Sequence, residues 1–238
     1  MPWRVDGRAP DELRPVRITP GYLLFAEGSA LIEMGNTRVL CAVSVEERVP
    51  SFLKGTGKGW VTAEYGMLPR STLTRTPRER EGGRVHEIQR LIGRALRAAV
   101  SLEGLGERTF LVDCDVLQAD GGTRTAAITG GYVALYQALL NLLKRNVLRT
   151  LPIRAAVAAV SVGVVEGEVL LDLCYEEDAR AQVDCTLVMT ERKEIVEVHC
   201  ATEGEPYPPA LLGRLLAVGE KGIERLLEAQ EGAIRSLR

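Results

Sequence analysis

The sequence predicts an α+β fold built from two similar halves, and three observations support this. Short runs suited to strands are interleaved with long helical patterns. No Pro-, Gly- or Ser-rich linker divides them. Two hairpin-like segments, LIEMGNTRVLCAVS (31–44) and LVMTERKEIVEVHC (187–200), echo one another, and each is followed by an amphipathic helix. The expectation is one unit over residues 1–238, with duplicated βαβα-type halves at roughly 1–150 and 151–238.

In chain order, 16–19 and 22–26 read as short strands broken by Pro20-Gly21. Residues 29–34 and 37–45 flank Gly35-Asn36, a hairpin turn signal. The stretch 48–83 is rich in Gly, Pro, Thr and Arg, and only WVTAEYGML within it looks extended. From Glu87, apolar residues at 88, 91, 92, 95, 96 and 99 follow helical spacing, with Arg90, Arg94 and Arg97 on the other face. Gly104 and Gly106 close that element. RTFLVDCDVLQ (108–118) reads as a strand. AAITGGYVALYQALLNLLKRN (126–146) is apolar on nearly every side and so predicts a buried helix. Residues 155–166 and 168–175 read as strands, 183–190 and 194–201 as a second hairpin, and about 209–230 as a closing helix.

Composition narrows the function classes. The chain has 238 residues, 46% apolar and 26% charged, with a net charge of −2. It is long enough to bury a core without disulfide or metal staples. The absence of an apolar run of about eighteen residues argues against a spanning helix, and the charged N-terminus against a signal peptide. A cytoplasmic protein is expected. The five cysteines (Cys41, Cys114, Cys174, Cys185, Cys200) are widely spaced among β-forming residues and read as buried reduced thiols. With only His86 and His199, a zinc site or a histidine-based triad has too few ligands or bases. Polar chemistry must then rest on Arg, Asp, Glu, Thr and a hard metal ion.

Charge is unevenly placed. Residues 54–97 hold ten basic and four acidic side chains, a net +6, which leaves −8 for the remainder. Such polarisation suits a localised polyanion site, although a solvated helix face with a charged loop would give the same count.

Three constellations carry chemistry. In QADGGTRTAAITGG (118–131), Gly121 and Gly122 permit close backbone approach, and Thr123 and Arg124 stand where the buried helix starts. Free N–H groups, a hydroxyl and a guanidinium fork make a phosphate cradle. Capping by Thr123 or Thr125 would account for the helix start, but a cation there is unfavourable unless an anion lies between. In DLCYEEDARAQVD (172–184), an extended strand would place Asp172, Cys174 and Glu176 on one face. Asp178 would then end that strand and Asp184 open the next. Two such carboxylates can share Mg²⁺, or serve only as turn residues. RVDGR (4–8) could bind substrate or tie down the terminus through salt bridges.

These blocks together resemble the RNase PH family. The resemblance rests on R-x-D-G-R at 4–8, GW-x-x-AEYGMLPRST-x-x-R-x-x-RE at 59–79 and GR-x-x-EIQRLIGRALRA at 83–98. It continues in CDVLQADGGTRTA at 114–126, DL-x-YEED-x-x-A-x-VD at 172–184 and VMT at 188–190. It implies a duplicated fold similar to the second domain of a small-subunit ribosomal protein. The implied activity is 3′→5′ exoribonucleolysis with inorganic phosphate as co-substrate, releasing nucleoside diphosphates from precursor tRNA and from other RNA 3′ ends, rRNA among them, with reverse nucleotide addition. A homo-hexameric ring, a trimer of dimers, is implied as well.

By motif, Arg84 with Gly122, Thr123 and Arg124 would hold phosphate, Asp178 and Asp184 would hold Mg²⁺, and Arg70, Arg75 and Arg78 would contact tRNA. Two departures touch substrate preference: only Arg80-Glu81-Gly82 separates the RE and GR motifs, and 185–207 has an atypical hairpin with His199. The competing readings are a catalytically inactive RNA-binding ring subunit of an exosome-like assembly and a metal-dependent hydrolase. The first would lack the Gly-Thr-Arg or the Asp pair. The second would need a richer carboxylate cluster.

Overall fold

The computed structural model describes residues 4–78, 82–202 and 204–237. Of the shortened connection Arg80-Glu81-Gly82, residues 80 and 81 lie outside them. Two sheets sandwich one long helix. The first sheet has the order β1-β2-β3-β5-β4, from strands β1 (Val16–Pro20), β2 (Gly28–Met34), β3 (Thr37–Glu46), β4 (Trp60–Met67) and β5 (Thr109–Gln118). All pairings are antiparallel except β4 with β5. A parallel pair needs a crossover, and helix α1 (Gly83–Ala98) supplies it. The second sheet, β7-β6-β8-β9, is antiparallel throughout, from β6 (Val157–Val165), β7 (Glu168–Leu171), β8 (Val183–Thr190) and β9 (Ile195–Thr202).

Helix α2 (Thr123–Lys144) lies between the sheets, against β2, β3 and β6. Its apolar girth follows from that position. By length and composition it could cross a membrane, but here both sheets cover it and it is the core helix. Helix α1 buries Ile88, Leu91, Ile92, Ala95 and Leu96, the stripe its spacing predicts. Of its opposite face, Arg94 pairs with Glu197 at 2.6 Å, and Arg97 lies 4.2 Å above the Trp60 ring. The closing helix, α4 (Pro209–Arg235), packs on β6, β1 and α2.

Three sequence expectations need correction. Residues 22–26 form no strand. Pro20 pairs with Ala30, so the intervening chain must reverse direction, and Leu24 and Phe25 are left 87% and 95% exposed. The strand read over 168–175 stops at Leu171. Asp172 adopts φ 52°, and residues 175–178 coil into the single-turn helix α3 (Tyr175–Asp178). Asp172, Cys174 and Glu176 therefore share no strand face. Asp172 turns fully inward, while Glu176 is exposed. Finally, Cys185 and Cys200 are not reduced thiols. They face each other across β8 and β9 with Cα atoms 4.0 Å apart and are joined by a disulfide. Register brings them together, and their spacing in sequence could not have shown it. Cys41, Cys114 and Cys174 are free and buried, as expected.

Candidate active site

The site is built where two helices begin. Helix α1 starts after Gly82 and helix α2 after Gly122, and neither has a side-chain cap or an acidic residue in its first turn. Each carries arginine at its second position, Arg84 and Arg124. Both helix starts line one cavity of about 520 Å³. The alternative reading, a Thr123 or Thr125 cap, does not hold. Gly122 holds the cap position with φ 66°, a left-handed conformation that glycine adopts without strain, and Thr125 Oγ1 donates to Gly122 O at 2.8 Å. Among the described residues no side chain caps the first N–H groups of α2, and positive helix ends with two guanidinium groups converge on the same space.

The neighbouring Gly121 is required by close packing. A Cβ there would lie 2.5 Å from Leu173 O, so the Gly-Gly loop sits directly against the segment leading into α3. That contact brings the second half of the chain to the cavity. Asp178, on α3, and Asp184, near the start of β8, both line it. Arg124 Nη2 donates to Asp184 Oδ2 at 3.1 Å. Burial and the Asp184 charge push the Asp178 carboxyl above its ordinary value, with Arg124 and Arg84 opposing the shift. The six expected residues Arg84, Gly122, Thr123, Arg124, Asp178 and Asp184 therefore share one cavity.

Tyr65, on β4, was not singled out by the sequence. Its hydroxyl and Thr123 Oγ1 are 2.7 Å apart, and burial pushes the phenol pKa up, so it remains a neutral hydrogen-bonding group. Period-two alternation on β4 puts Tyr65 on the buried face with Val61 and Ala63, which was the available signal. Ser161 and Thr186 also line the cavity from facing strands, and nothing in their sequence context marks them.

A second cavity of about 770 Å³ adjoins the first, and Thr72, Ala119 and Tyr175 line both. Arg70 belongs to this second space. Arg75 and Arg78 line neither cavity and are exposed on the irregular stretch after β4.

RVDGR takes the tethering option. Arg4 Nη2 meets Glu177 Oε2 at 2.7 Å in the interior, and Arg4 and Arg8 each donate to Asp172 O at 3.1 Å. Burial raises the Glu177 carboxyl, but the hydrogen bonds from Arg4 and from the Cys174 N–H outweigh it, so the net shift is downward.

Domain 1 of the 3′ exoribonuclease family matches residues 12–141, and domain 2 matches 155–222. The chain is 53% identical to ribonuclease PH of Dehalococcoides mccartyi strain CBDB1 over 233 residues, covering 96% of this chain and 97% of that one. This chain belongs to the ribonuclease PH family. To ribonuclease PH of D. mccartyi strain 195 it is 52% identical over 236 residues, covering 98% and 99% of the two chains. Among solved structures, the Archaeoglobus fulgidus exosome with RNA bound to its active site superposes with TM-score 0.81 at 25% identity, covering 95% of this chain and 92% of that one. Rice (Oryza sativa) Rrp46 superposes with TM-score 0.79 at 22% identity over 99% and 100% of the chains, a likeness of fold. As a ribonuclease PH the chain is a phosphorolytic 3′ exoribonuclease.

Proposed function

We propose that the shared cavity binds orthophosphate and an RNA 3′ end together and that this chain trims precursor tRNA by phosphorolysis. The observation that carries the proposal is the convergence of two uncapped helix N-termini, each with arginine at its second position. Orthophosphate is an anion attacking an anionic diester, so the repulsion between them must be neutralised before in-line approach. Arg84, Arg124, the Thr123 hydroxyl and the Gly122–Thr123 backbone take the attacking phosphate. Tyr65 holds the Thr123 hydroxyl in place. An orthophosphate oxygen bonds to the terminal phosphorus, the bond to the 3′ oxygen of the preceding nucleotide breaks, and a nucleoside 5′-diphosphate leaves. Phosphate is already ionised near neutrality, so the cavity needs no histidine base.

The Asp178–Asp184 pair suits a divalent cation. Burial and the Asp184 charge disfavour the Asp178 carboxylate, and Asp184 has Arg124 as a salt-bridge partner. No group of three or more His, Cys, Asp or Glu side chains suited to a metal occurs among the described residues. Two carboxylates match Mg²⁺, which takes one or two from the protein and fills the rest of its shell with water and substrate phosphates. Bound there, Mg²⁺ would supply Lewis-acid neutralisation of the scissile diester. RNA binding and ring assembly come by analogy with the exosome structures, and the tRNA substrate and the homo-hexamer by the family resemblance.

Product analysis tests the reading. Short RNA should yield nucleoside diphosphates only when phosphate is supplied, and Arg124→Ala should abolish this while retaining RNA binding. Monophosphate release without added phosphate would indicate a hydrolase instead.

A further inference from the structure

We propose that the Tyr175 ring is the stacking platform for a base beside the scissile phosphate, setting where the RNA 3′ end sits. This rests on the phosphorolytic reading above and names a positioning residue within it. Tyr175 is 58% exposed and stands at the seam between the two cavities. A lone exposed aromatic ring means little, but the backbone that carries this one is held against Asp120 and Gly121 on one side and leads to Asp178 on the other. Its backbone N–H donates to Asp120 Oδ1 at 3.2 Å, and a Cβ on Gly121 would lie 2.9 Å from Tyr175 N. The platform is thus fixed to the loop that presents Thr123 and Arg124. Asp178 lies three residues further on, at the other end of α3.

The lining of the second cavity decides what lies against the ring. Its charges are mixed: Arg70 and Arg14, the latter already paired with Asp172, stand with Asp6, Asp120 and Glu176, and the amides of Asn36 and Gln118 lie beside them. A wall of mixed sign gives poor support to a run of phosphates. It suits the neutral donor and acceptor edges of bases. Stacking on an aromatic face tolerates any base, because every base has a π-face. An exonuclease that removes each nucleotide in turn needs such tolerance at the position next to the cut.

The test uses full-length enzyme and a short RNA carrying 2-aminopurine at either of the two 3′-terminal positions, without phosphate so that no turnover occurs. Binding should quench the probe at one of these positions in the parent and in Tyr175→Phe. The quench should be lost in Tyr175→Ala and in Tyr175→Leu, which keeps apolar bulk without a π-face. With phosphate added, KM for the unlabelled RNA should rise about 5- to 100-fold in the Ala and Leu variants, with KM for phosphate unchanged. Undiminished quenching in Tyr175→Ala overturns the proposal. So does a rise in the KM for phosphate equal to that for RNA, or a loss of assembly on sedimentation with RNA affinity per site intact, because each would make Tyr175 a scaffold residue. Hydrolysis in place of phosphorolysis by the parent would instead overturn the reaction class and leave the quench result standing.

Discussion

Arg14 and Asp172 form a buried ion pair at 2.6 Å that joins the first half of the chain to the second beneath the Gly121-Gly122 loop. Asp172 Oδ2 also accepts from the Arg14 backbone N–H and from Nε, each at 2.9 Å. The remaining guanidinium donors reach the Asp120 and Gly121 carbonyls. One arginine therefore holds a carboxylate in left-handed backbone, where a non-glycine residue is strained, and also the carbonyls immediately before Gly122.

Removing this arginine should be costly twice over. In Arg14→Ala the buried Asp172 carboxylate loses its close partner and keeps Arg8 Nη1 at 3.5 Å, so the loss should approach but not exceed the about 3–5 kcal/mol of a fully unpaired buried charge. The loop before Gly122 also loses its tether, so KM for phosphate should rise in whatever enzyme remains folded. Arg14→Lys keeps the charge but not the fork, and should fall between Ala and the parent. Denaturant midpoints and phosphate KM measured on the three proteins check this. Unchanged stability in Arg14→Ala would mean that Arg8 or water takes over at Asp172.

The second prediction concerns the carboxylate pair. Burial and Asp184 raise the Asp178 pKa, so the folded protein binds this proton at a higher pH than the unfolded chain does. Ionising Asp178 therefore works against stability above the ordinary carboxylate range, and cation binding there strengthens as pH rises through the elevated value. Phosphorolysis at limiting Mg²⁺ should show an acid limb that excess Mg²⁺ moves to lower pH. Asp184→Asn removes the like charge and frees Arg124, so NMR titration should find Asp178 shifted downward. Asp178→Asn and Asp184→Asn should each lose activity at ordinary Mg²⁺. Full activity of both variants in chelator would reduce the pair to structural residues.

Much of this site is legible in the sequence because its parts announce themselves locally. The Gly121-Gly122-Thr123-Arg124 run before an apolar helix is a spacing pattern, and the α1 and α2 stripes are periodic. What cannot be read there depends on tertiary pairing. Arg14 sits in DELRPVRI with no local sign that it is buried, because its partner lies 158 residues away. The alternation around Asp172 points to a strand face, because left-handed backbone at a non-glycine residue has no sequence signature. The Cys185–Cys200 bond needs the β8–β9 register. Residues 22–26 have strand composition, but the β1–β2 register leaves them only a connection to make.

The last prediction concerns Arg70, Arg75 and Arg78, which the sequence groups together and the structure separates. Arg70 lines the cavity beside Tyr175, within reach of nucleotides next to the cut. Arg75 and Arg78 stand exposed on an irregular stretch. This stretch is anchored near its start, where Ser71 O accepts from the Ala119 N–H at 2.8 Å and Pro69 O from the Thr76 N–H at 2.9 Å. From this anchored stretch the exposed Arg75 and Arg78 can reach a tRNA body through phosphate contacts, which position without reading sequence. Arg75→Ala with Arg78→Ala should therefore lower kcat/KM for precursor tRNA. It should also flatten the salt dependence of tRNA binding by about one contact's slope per arginine, with little effect on a short oligonucleotide. Arg70→Ala should impair both substrates, since both pass the second cavity. The comparison is kcat/KM for the two RNAs across parent, single and double variants at several salt concentrations. If Arg75→Ala/Arg78→Ala loses equally on both RNAs, the two side chains act on the fold, the assembly or the cavity itself, and the tRNA body is held by another surface.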